Sequence, residues 1–279
     1  MRELQAEAIT DAVRRMCVSA NCVLPGHVRR CIAASHQRED WPRAKDTLGR
    51  IIDNYTIAER GGMPICQDTG VTCVFVELGQ DVRVAGDLSE AIHEGVRRGT
   101  REGYLRASLV SDPIRRVNTG DNSPAMIYYD IVPGDSCKII VAPKGFGSEN
   151  MSRIAMLRPS DGLDGIKAFI LRVVEEAGAN PCPPVIVGVG LGGTFDKAAL
   201  LAKKALLRPA DDIHPDPWYA ALEEELLEPI NALGIGPQGF GGRTTALAVK
   251  ISAMATHIAG LPVAVNLNCH VARHVCEEL

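Results

Sequence analysis

Apolar residues recur every three or four positions over most of the first sixty residues, which is the spacing of one face of a helix. In residues 2–18 this stripe consists of Leu4, Ala8, Ile9, Ala12, Val13 and Met16. Two further helices are predicted over residues 27–39 and 43–60, and Gly61-Gly62 ends the second. The later predicted helices cover residues 88–106, 161–178, 196–208 and 217–233, with another directly after residues 144–152.

Short segments rich in β-branched and aromatic residues predict strands between these helices. They cover residues 71–79, 125–132, 136–143, 183–190, 244–252 and 261–268. The turn Pro133-Gly134-Asp135 separates the second from the third, so we expect those two strands to pair. We therefore predict an α/β mixed (α+β) fold, with a helical N-terminal region followed by alternating helices and strands in a single large domain of residues 1–279. The strand order stays open.

The composition excludes several classes of protein. Of the 279 residues, 46% are hydrophobic and 23% are charged, which is enough apolar material for a sizeable core. The net charge is −4 and only 4% of the residues are aromatic, so nucleic acid is not an expected partner. The sequence has no signal peptide and no apolar stretch of about 20 residues. We therefore expect a cytoplasmic protein that does not bind membranes.

Three glycine-rich segments suggest an anionic ligand. Residues 188–193 match G-x-G-x-x-G between a predicted strand and a predicted helix, as in NAD-binding proteins. The second strand of that motif, which should end in an acidic residue, is replaced by the proline-broken loop RPADDIHPDPW. The loops 143–152 and 234–245 combine glycines with a cation, Lys144 or Arg243. Because such loops can present backbone N–H groups to an anion, the three together favour a small dicarboxylate, and NAD remains a remote alternative.

The nine cysteines need an explanation, since a cytosolic chain is not expected to form disulfides. Cys66, Cys182 and Cys269 lie in loops or at the ends of elements, where iron–sulfur ligands can be supplied. Three thiolates would leave one iron of a cubane cluster open as a Lewis acid. A zinc site at Cys269, His270 and His274 is the alternative, although zinc sites usually contain a second close pair of ligands. The remaining cysteines lie mostly in or between predicted helices and strands, which is typical of buried thiols.

Several longer motifs identify a family. They are PICQDTG, VNTGDNSPA, APKGFGSENMSR, NPCPPVIVGVGLGGTFDKAALLAKKALLRP, GPQGFGGRTTALAVKI and HIAGLPVAVNLNCHVARH. In this order and over nearly the whole chain, they resemble the α subunit of the class I iron–sulfur hydro-lyases, which include fumarate hydratase and L(+)-tartrate dehydratase. The resemblance implies a [4Fe-4S] cluster with one iron that is not bound by cysteine, and it places the three ligands at Cys66, Cys182 and Cys269.

The same resemblance implies the remaining parts of the site. The substrate contacts would be Gln67, Asp68, Arg106, Gly147 and His257, and Lys144 is a further candidate to hold a carboxylate. Asp68 would serve as a catalytic acid/base or as an orienting group.

The expected reaction is the reversible hydration of fumarate to (S)-malate, and the alternative is the dehydration of L-tartrate to oxaloacetate. The C-terminal catalytic domain of single-chain members is expected on a separate β subunit. We therefore expect an αβ heterodimer or an (αβ)2 assembly.

Overall fold

The structure, a computed structural model, describes residues 2–279. Their internal contacts divide them into two compact units. Unit 1 contains the chain up to Leu24, Asn54–Phe146 and Arg273–Leu279, and unit 2 contains Pro25–Asp53 and Gly147–Ala272. The helices are α1 (Ala6–Cys22), α2 (Gly26–Arg38), α3 (Pro42–Gly61), α4 (Leu88–Glu102), α5 (Phe146–Glu149), α6 (Gly162–Ala177), α7 (Phe195–Ala205) and α8 (Pro217–Ala232). The strands are β1 (Arg2–Gln5), β2 (Val71–Gly79), β3 (Val82–Ala85), β4 (Met126–Val132), β5 (Cys137–Lys144), β6 (Arg153–Leu157), β7 (Val185–Gly193), β8 (Ala246–Thr256), β9 (Leu261–Asn268) and β10 (Val275–Glu278).

The predicted mixture of helices and strands is confirmed, and the structure adds four strands that were not predicted, β1, β3, β6 and β10. The chain begins with the strand β1, which pairs in parallel with β3, so α1 starts only at Ala6. The segment after residue 152, expected to be helical, is the strand β6, which pairs with β9. The last residues form β10, which pairs with β5. Each of these short strands depends on a partner that is distant in sequence, and local spacing does not reveal such a partner.

The sheet of unit 1 has the strand order β10-β5-β2-β4. Strand β4 is parallel to β2 and β5 is antiparallel to it, so the predicted pairing of β4 with β5 is wrong. The connection between them crosses the end of β2, where the N–H of Gly79 donates to the carbonyl of Ser136 at 2.8 Å. A Cβ atom on Gly79 would lie 2.4 Å from the oxygen of Gly134, so this crossing requires glycine.

The core of unit 1 is formed by α1 and α4 packed against this sheet. Ile9 and Val13 of α1 and Ile92 and Val96 of α4 are completely buried. They share one cluster with the paired sheet residues Val74, Val76, Ile139 and Val141. Each such side chain contributes roughly 1.5–3 kcal/mol by leaving water.

Unit 2 repeats the strand arrangement of unit 1. Its order is β6-β9-β7-β8, and the central strand β7 again has a parallel neighbour, β8, and an antiparallel one, β9. Helices α6 and α8 pack with the sheet in one large apolar cluster. In a separate cluster, α7 packs through Ala198 and Ala202 against Ala264 of β9.

The glycines of the G-x-G-x-x-G segment lie within β7 and allow α7 to pack closely on it. A Cβ atom on Gly188 would lie 2.3 Å from the carbonyl oxygen of Ala202, and one on Gly190 would lie 2.1 Å from that of Ala198. The sequence requires glycine here because the helix backbone contacts the strand backbone. This packing explains the motif without a bound nucleotide.

We expect the substitution Gly190→Ala to lower the free energy of unfolding by about 3 kcal/mol, because the added methyl group overlaps backbone atoms that cannot move aside. Urea denaturation measures this difference. The matched control is Gly49→Ala in α3, where the nearest atom to a new Cβ is 3.6 Å away. It should stabilise the helix by about 0.5–1 kcal/mol. Equal midpoints for the two variants would contradict the packing explanation.

The registers bring Cys66 and Lys144 in unit 1, and Cys182 and Cys269 in unit 2, to one end of the sheet of their unit, which we call the site end. In unit 1, Val71 of β2 faces Lys144 of β5, so the loop that contains Cys66 and the loop after β5 are neighbours. In unit 2, Ile186 of β7 faces Asn268 of β9, and the segments that contain Cys182 and Cys269 therefore meet. The arrangement of strands alone thus joins segments more than 70 residues apart.

Candidate active site

The loop around Cys66 in unit 1 is fixed by hydrogen bonds on both sides of Ile65. The N–H of Ile65 donates to the carbonyl of Asn21 (2.9 Å), and its carbonyl accepts from the side chain of Asn54 (2.9 Å). Cys66 is half-buried, and its sulfur accepts the N–H of Asp68 at 3.4 Å. This hydrogen bond fixes the position of the sulfur relative to the backbone of the loop.

Both oxygens of the Asp68 carboxylate accept hydrogen bonds from backbone N–H groups. One oxygen accepts the N–H of Gly70 and the other that of Phe146, each at 3.0 Å. The main-chain carbonyl of Asp68 also accepts a hydrogen bond of 2.5 Å from the buried guanidinium of Arg273. These bonds hold the loop after Cys66 against the loop after β5. The geometry therefore favours an orienting role for Asp68 over proton transfer.

We expect the substitution Asp68→Asn to lower kcat without moving the limbs of the pH–rate profile. The amide keeps one acceptor oxygen but cannot accept the second N–H, so the loop loses a hydrogen bond to an ionised group, a bond of roughly 1.5–3 kcal/mol. The pH dependence of kcat for the wild type and the variant is the measurement. Loss of the acidic limb in the variant would instead identify Asp68 as the general base.

The other residues predicted in unit 1 lie around the same loop. Gln67 and Arg106 are exposed, and the carbonyl of Arg106 accepts the hydroxyl of Thr69 at 2.9 Å. Lys144 is buried, with its ammonium 3.4 Å from the carbonyl of Gly145. The sequence analysis missed Arg273 and the buried Asn122, which donates to the carbonyl of Gly70 and accepts from the N–H of Ser108, both at 3.0 Å. The place of Asn122 in the motif VNTGDNSPA was the available signal.

Cys182 and the segment after β9 meet at the site end of unit 2. The backbone N–H of His270 lies 3.4 Å from the carbonyl oxygen of Cys182, and its Nδ1 lies 2.9 Å from the same oxygen. The side chain of Gln238 donates to the carbonyl of Pro183 at 2.8 Å and lies 3.1 Å from Nδ1 of His270. Since Cys269 directly precedes His270, these contacts bring the segments that contain the two cysteines together. Sequence reasoning did not predict the contribution of Gln238.

Cys182 adopts a backbone conformation that is unfavourable for residues other than glycine. Its φ angle is +55°, in the left-handed region, and its side chain is exposed. For a residue other than glycine this conformation costs roughly 1–2 kcal/mol. Strain of this kind is concentrated at functional sites, where a side chain must be presented in a fixed direction.

Gly147 also lies at the site end of unit 2. A Cβ atom on Gly147 would lie 3.3 Å from the carbonyl oxygen of Asn180, two residues before Cys182. Two residues after Gly147, the carboxylate of Glu149 accepts hydrogen bonds from Lys203 (2.6 Å) and from the side chain of Asn266 (2.9 Å). Asn266 lies on β9 three residues before Cys269. The glycine loop and the cysteine strand are thus tied together through side chains.

His257 is not brought together with the other predicted residues of unit 2. It is exposed in the turn between β8 and β9, where its Nδ1 accepts the N–H of Ala259 at 3.1 Å. This turn follows the end of β8, and β8 runs parallel to β7. His257 therefore lies at the opposite end of the sheet from Cys182 and Cys269.

The chemistry of the three predicted ligands fits an iron–sulfur cluster. Cys66, Cys182 and Cys269 are at least partly exposed, whereas burial raises the pKa of the Cys17 thiol to about 12 and also raises that of Cys137. Thiols of the second kind stay protonated and are poor ligands. Accessible thiols in loops are the usual donors to iron clusters.

Within residues 2–279, no group of three or more His, Cys, Asp or Glu side chains is arranged to hold a metal ion. The zinc interpretation of Cys269, His270 and His274 therefore has no support in the structure. Cys66 belongs to unit 1, and Cys182 and Cys269 belong to unit 2. The cluster ligands remain a prediction that rests on the resemblance and on the chemistry of these thiols.

Among the helices of residues 2–279, none combines the length and the apolar character that crossing a membrane requires.

Comparisons with known proteins place the chain in a family. The sequence model described as Fumarate hydratase (Fumerase) matches residues 10–277. A curated protein of Methanocaldococcus jannaschii, named "Putative L(+)-tartrate dehydratase subunit alpha", is 43% identical over 277 residues, which cover 97% of each chain. The L(+)-tartrate dehydratase subunit alpha of Escherichia coli strain UTI89 is 37% identical over 236 residues, 81% of this chain and 78% of the relative. The resemblance predicted from the motifs is thereby confirmed.

Proposed function

Since the chain belongs to the fumarate hydratase family of hydro-lyases, we propose that it is the α subunit of an enzyme that interconverts fumarate and (S)-malate. The observation that carries the proposal is the gathering of predicted residues at the site ends. Cys66, Gln67 and Asp68 share one in unit 1, and Gly147, Cys182 and Cys269 share the other in unit 2. In each unit, motifs that are far apart in sequence lie at the same end of the sheet. This grouping supports a functional site, because residues with purely structural roles need not be grouped.

In this proposal Cys66, Cys182 and Cys269 hold a [4Fe-4S] cluster. When bound, the cluster supplies a Lewis acid at its one iron without a cysteine ligand, which makes the hydroxyl group of malate a better leaving group. The N–H of Asp68 donates to the sulfur of Cys66 and fixes its position in the loop. The left-handed backbone at Cys182 directs that thiol outward.

The chain's own residues bind and orient the dicarboxylate. The exposed guanidinium of Arg106 pairs with one carboxylate through charge-assisted hydrogen bonds. The backbone N–H groups of the loop at Gly147 and the amide of Gln67 are donors for the other carboxylate. Buried Lys144 contributes a fixed positive charge at the same sheet end as Cys66. Asp68 holds its loop in place, and we assign removal of the carbon-bound proton to a group on the partner subunit.

The second candidate is the dehydration of L-tartrate to oxaloacetate, and the names of the two relatives favour it. Tartrate differs from malate by one hydroxyl group, so a single side chain can discriminate between the two substrates.

The test of the reaction is anaerobic purification of the complex with its β-type partner, followed by assays with malate and with L-tartrate under the same conditions. We expect a brown protein that loses colour and activity in air and turns over malate at least about tenfold faster. Faster turnover of tartrate would assign the second reaction. A colourless, iron-free and fully active preparation would overturn the cluster.

The proposed partner is a β subunit that carries the rest of the catalytic machinery, in an αβ or (αβ)2 assembly. Its support is that both relatives are named as α subunits. Closed symmetry is the usual outcome for soluble oligomers, which favours (αβ)2.

A further inference from the structure

An open cavity of about 510 Å³ lies in unit 2 among α2, α8 and the beginning of β8. Three arginines line it, Arg30, Arg38 and Arg243, whereas Asp211 is the single acidic residue in its described lining. None of the residues proposed above for the cluster or the substrate lies in this lining. The volume is that of a site for a small molecule.

The arginines keep donor capacity after their ion pairs are counted. Arg30 pairs with Asp211 at 2.6 Å, and Nε of Arg243 donates to Asp40 at 2.8 Å. About two-thirds of each of these arginine side chains nevertheless remains exposed, at 69% and 68%. Arg38, at the end of α2, forms no salt bridge within residues 2–279. A guanidinium has five N–H donors, so one carboxylate does not use them all.

Two largely buried residues contribute hydroxyl groups to the cavity, so its lining is more than a cluster of surface charges. Ser35 and Thr244 both line it and are only 3% and 9% exposed. Neither hydroxyl oxygen is among the fully buried side-chain atoms of residues 2–279 that lack a hydrogen-bond partner, so both are open to the cavity. A hydroxyl group that faces the cavity can donate to an acceptor on a ligand, and a hydrogen bond to an ionised group contributes roughly 1.5–3 kcal/mol. Asn231 adds an amide, whose oxygen already accepts the N–H of Thr245 at 2.8 Å.

We propose that this cavity binds a small molecule that carries two or more carboxylate or phosphate groups. Its polar lining is dominated by donors, and the planar fork of arginine matches both of these anions. The proposal also explains the cation in the glycine-rich loop 234–245, because Arg243 and Thr244 of that loop both line the cavity. The proposal does not depend on the reaction proposed above.

The test is calorimetric titration of the full-length chain with citrate and with pyrophosphate, with chloride used to match the ionic strength. We expect saturable binding, weakened about tenfold by Arg38→Gln and by Thr244→Val, since each removes one hydrogen bond to an ionised group. The control is Arg172→Gln on α6, an exposed arginine outside the lining, which should leave the affinity unchanged.

The ratio of the two affinities decides between carboxylate and phosphate as the natural group. If both lining variants bind the anions as tightly as the wild type, the binding takes place at another site, such as the proposed dicarboxylate site. That result overturns the proposal. The absence of saturable binding, or an equal loss in Arg172→Gln, also overturns it. Because Arg38 is exposed and makes no ion pair, its variant should fold normally, and circular dichroism checks this.

Discussion

Replacing any one of Cys66, Cys182 and Cys269 by serine is expected to reduce the hydro-lyase activity of the complex by at least about 1,000-fold, because a serine hydroxyl stays protonated where a thiolate is needed. Each variant should also contain less iron per chain than the wild type. The measurement is iron content and absorbance after anaerobic purification, followed by turnover of malate. Because iron content does not depend on the substrate, this result tests the ligands separately from the choice between malate and tartrate.

The matched controls are Cys276→Ser and Cys31→Ser. Cys276 lies on β10 and Cys31 on α2, so neither thiol lies in one of the loops or strand ends that contain the predicted ligands. Both variants should retain iron and activity. If Cys276→Ser or Cys73→Ser loses iron while a member of the triplet keeps it, the ligands are wrongly assigned.

The sequence predicted the helices and strands that are determined by the pattern of their own residues. The alternating and branched residues of 71–79 and 261–268 define β2 and β9 with the observed bounds, and the apolar stripe predicts α1 to within a few residues. The pairing of β4 and β5 failed because a short turn is compatible either with a hairpin or with a crossing over the end of β2. The crossing depends on Gly79, whose contact with Gly134 is not a local property.

In the candidate site, too, features of the local sequence were predicted and long-range contacts were not. Cys66 was found from its own loop, since glycines and a proline around a thiol are visible in sequence. The groups that hold the loop were not found, because each is defined by a long-range contact. Arg273 reaches the carbonyl of Asp68 over 205 residues, and Asn122 reaches that of Gly70 over 52. Sequence patterns therefore identify reactive groups more readily than the residues that position them.

We expect the variants His257→Asn and Cys182→Ser each to be inactive alone. An assembly that contains one α chain of each variant should regain activity. The reason is the placement of His257 at the far end of the sheet in unit 2. The 8 residues of β9 lie between its turn and Cys269. At about 3.3 Å per residue that strand spans roughly 26 Å, which no histidine side chain can bridge. A His257 that contacts substrate beside Cys269 must therefore come from a second α chain.

The measurement uses two affinity tags, one on each variant, and sequential purification of the mixed (αβ)2 assembly. One of its two sites then combines intact cysteines with an intact His257, so we expect about half of the wild-type activity per assembly. Assemblies that contain only one variant serve as controls. An inactive mixture would show that His257 acts within its own chain or only through stability. Full activity of His257→Asn by itself would remove the histidine from the site altogether.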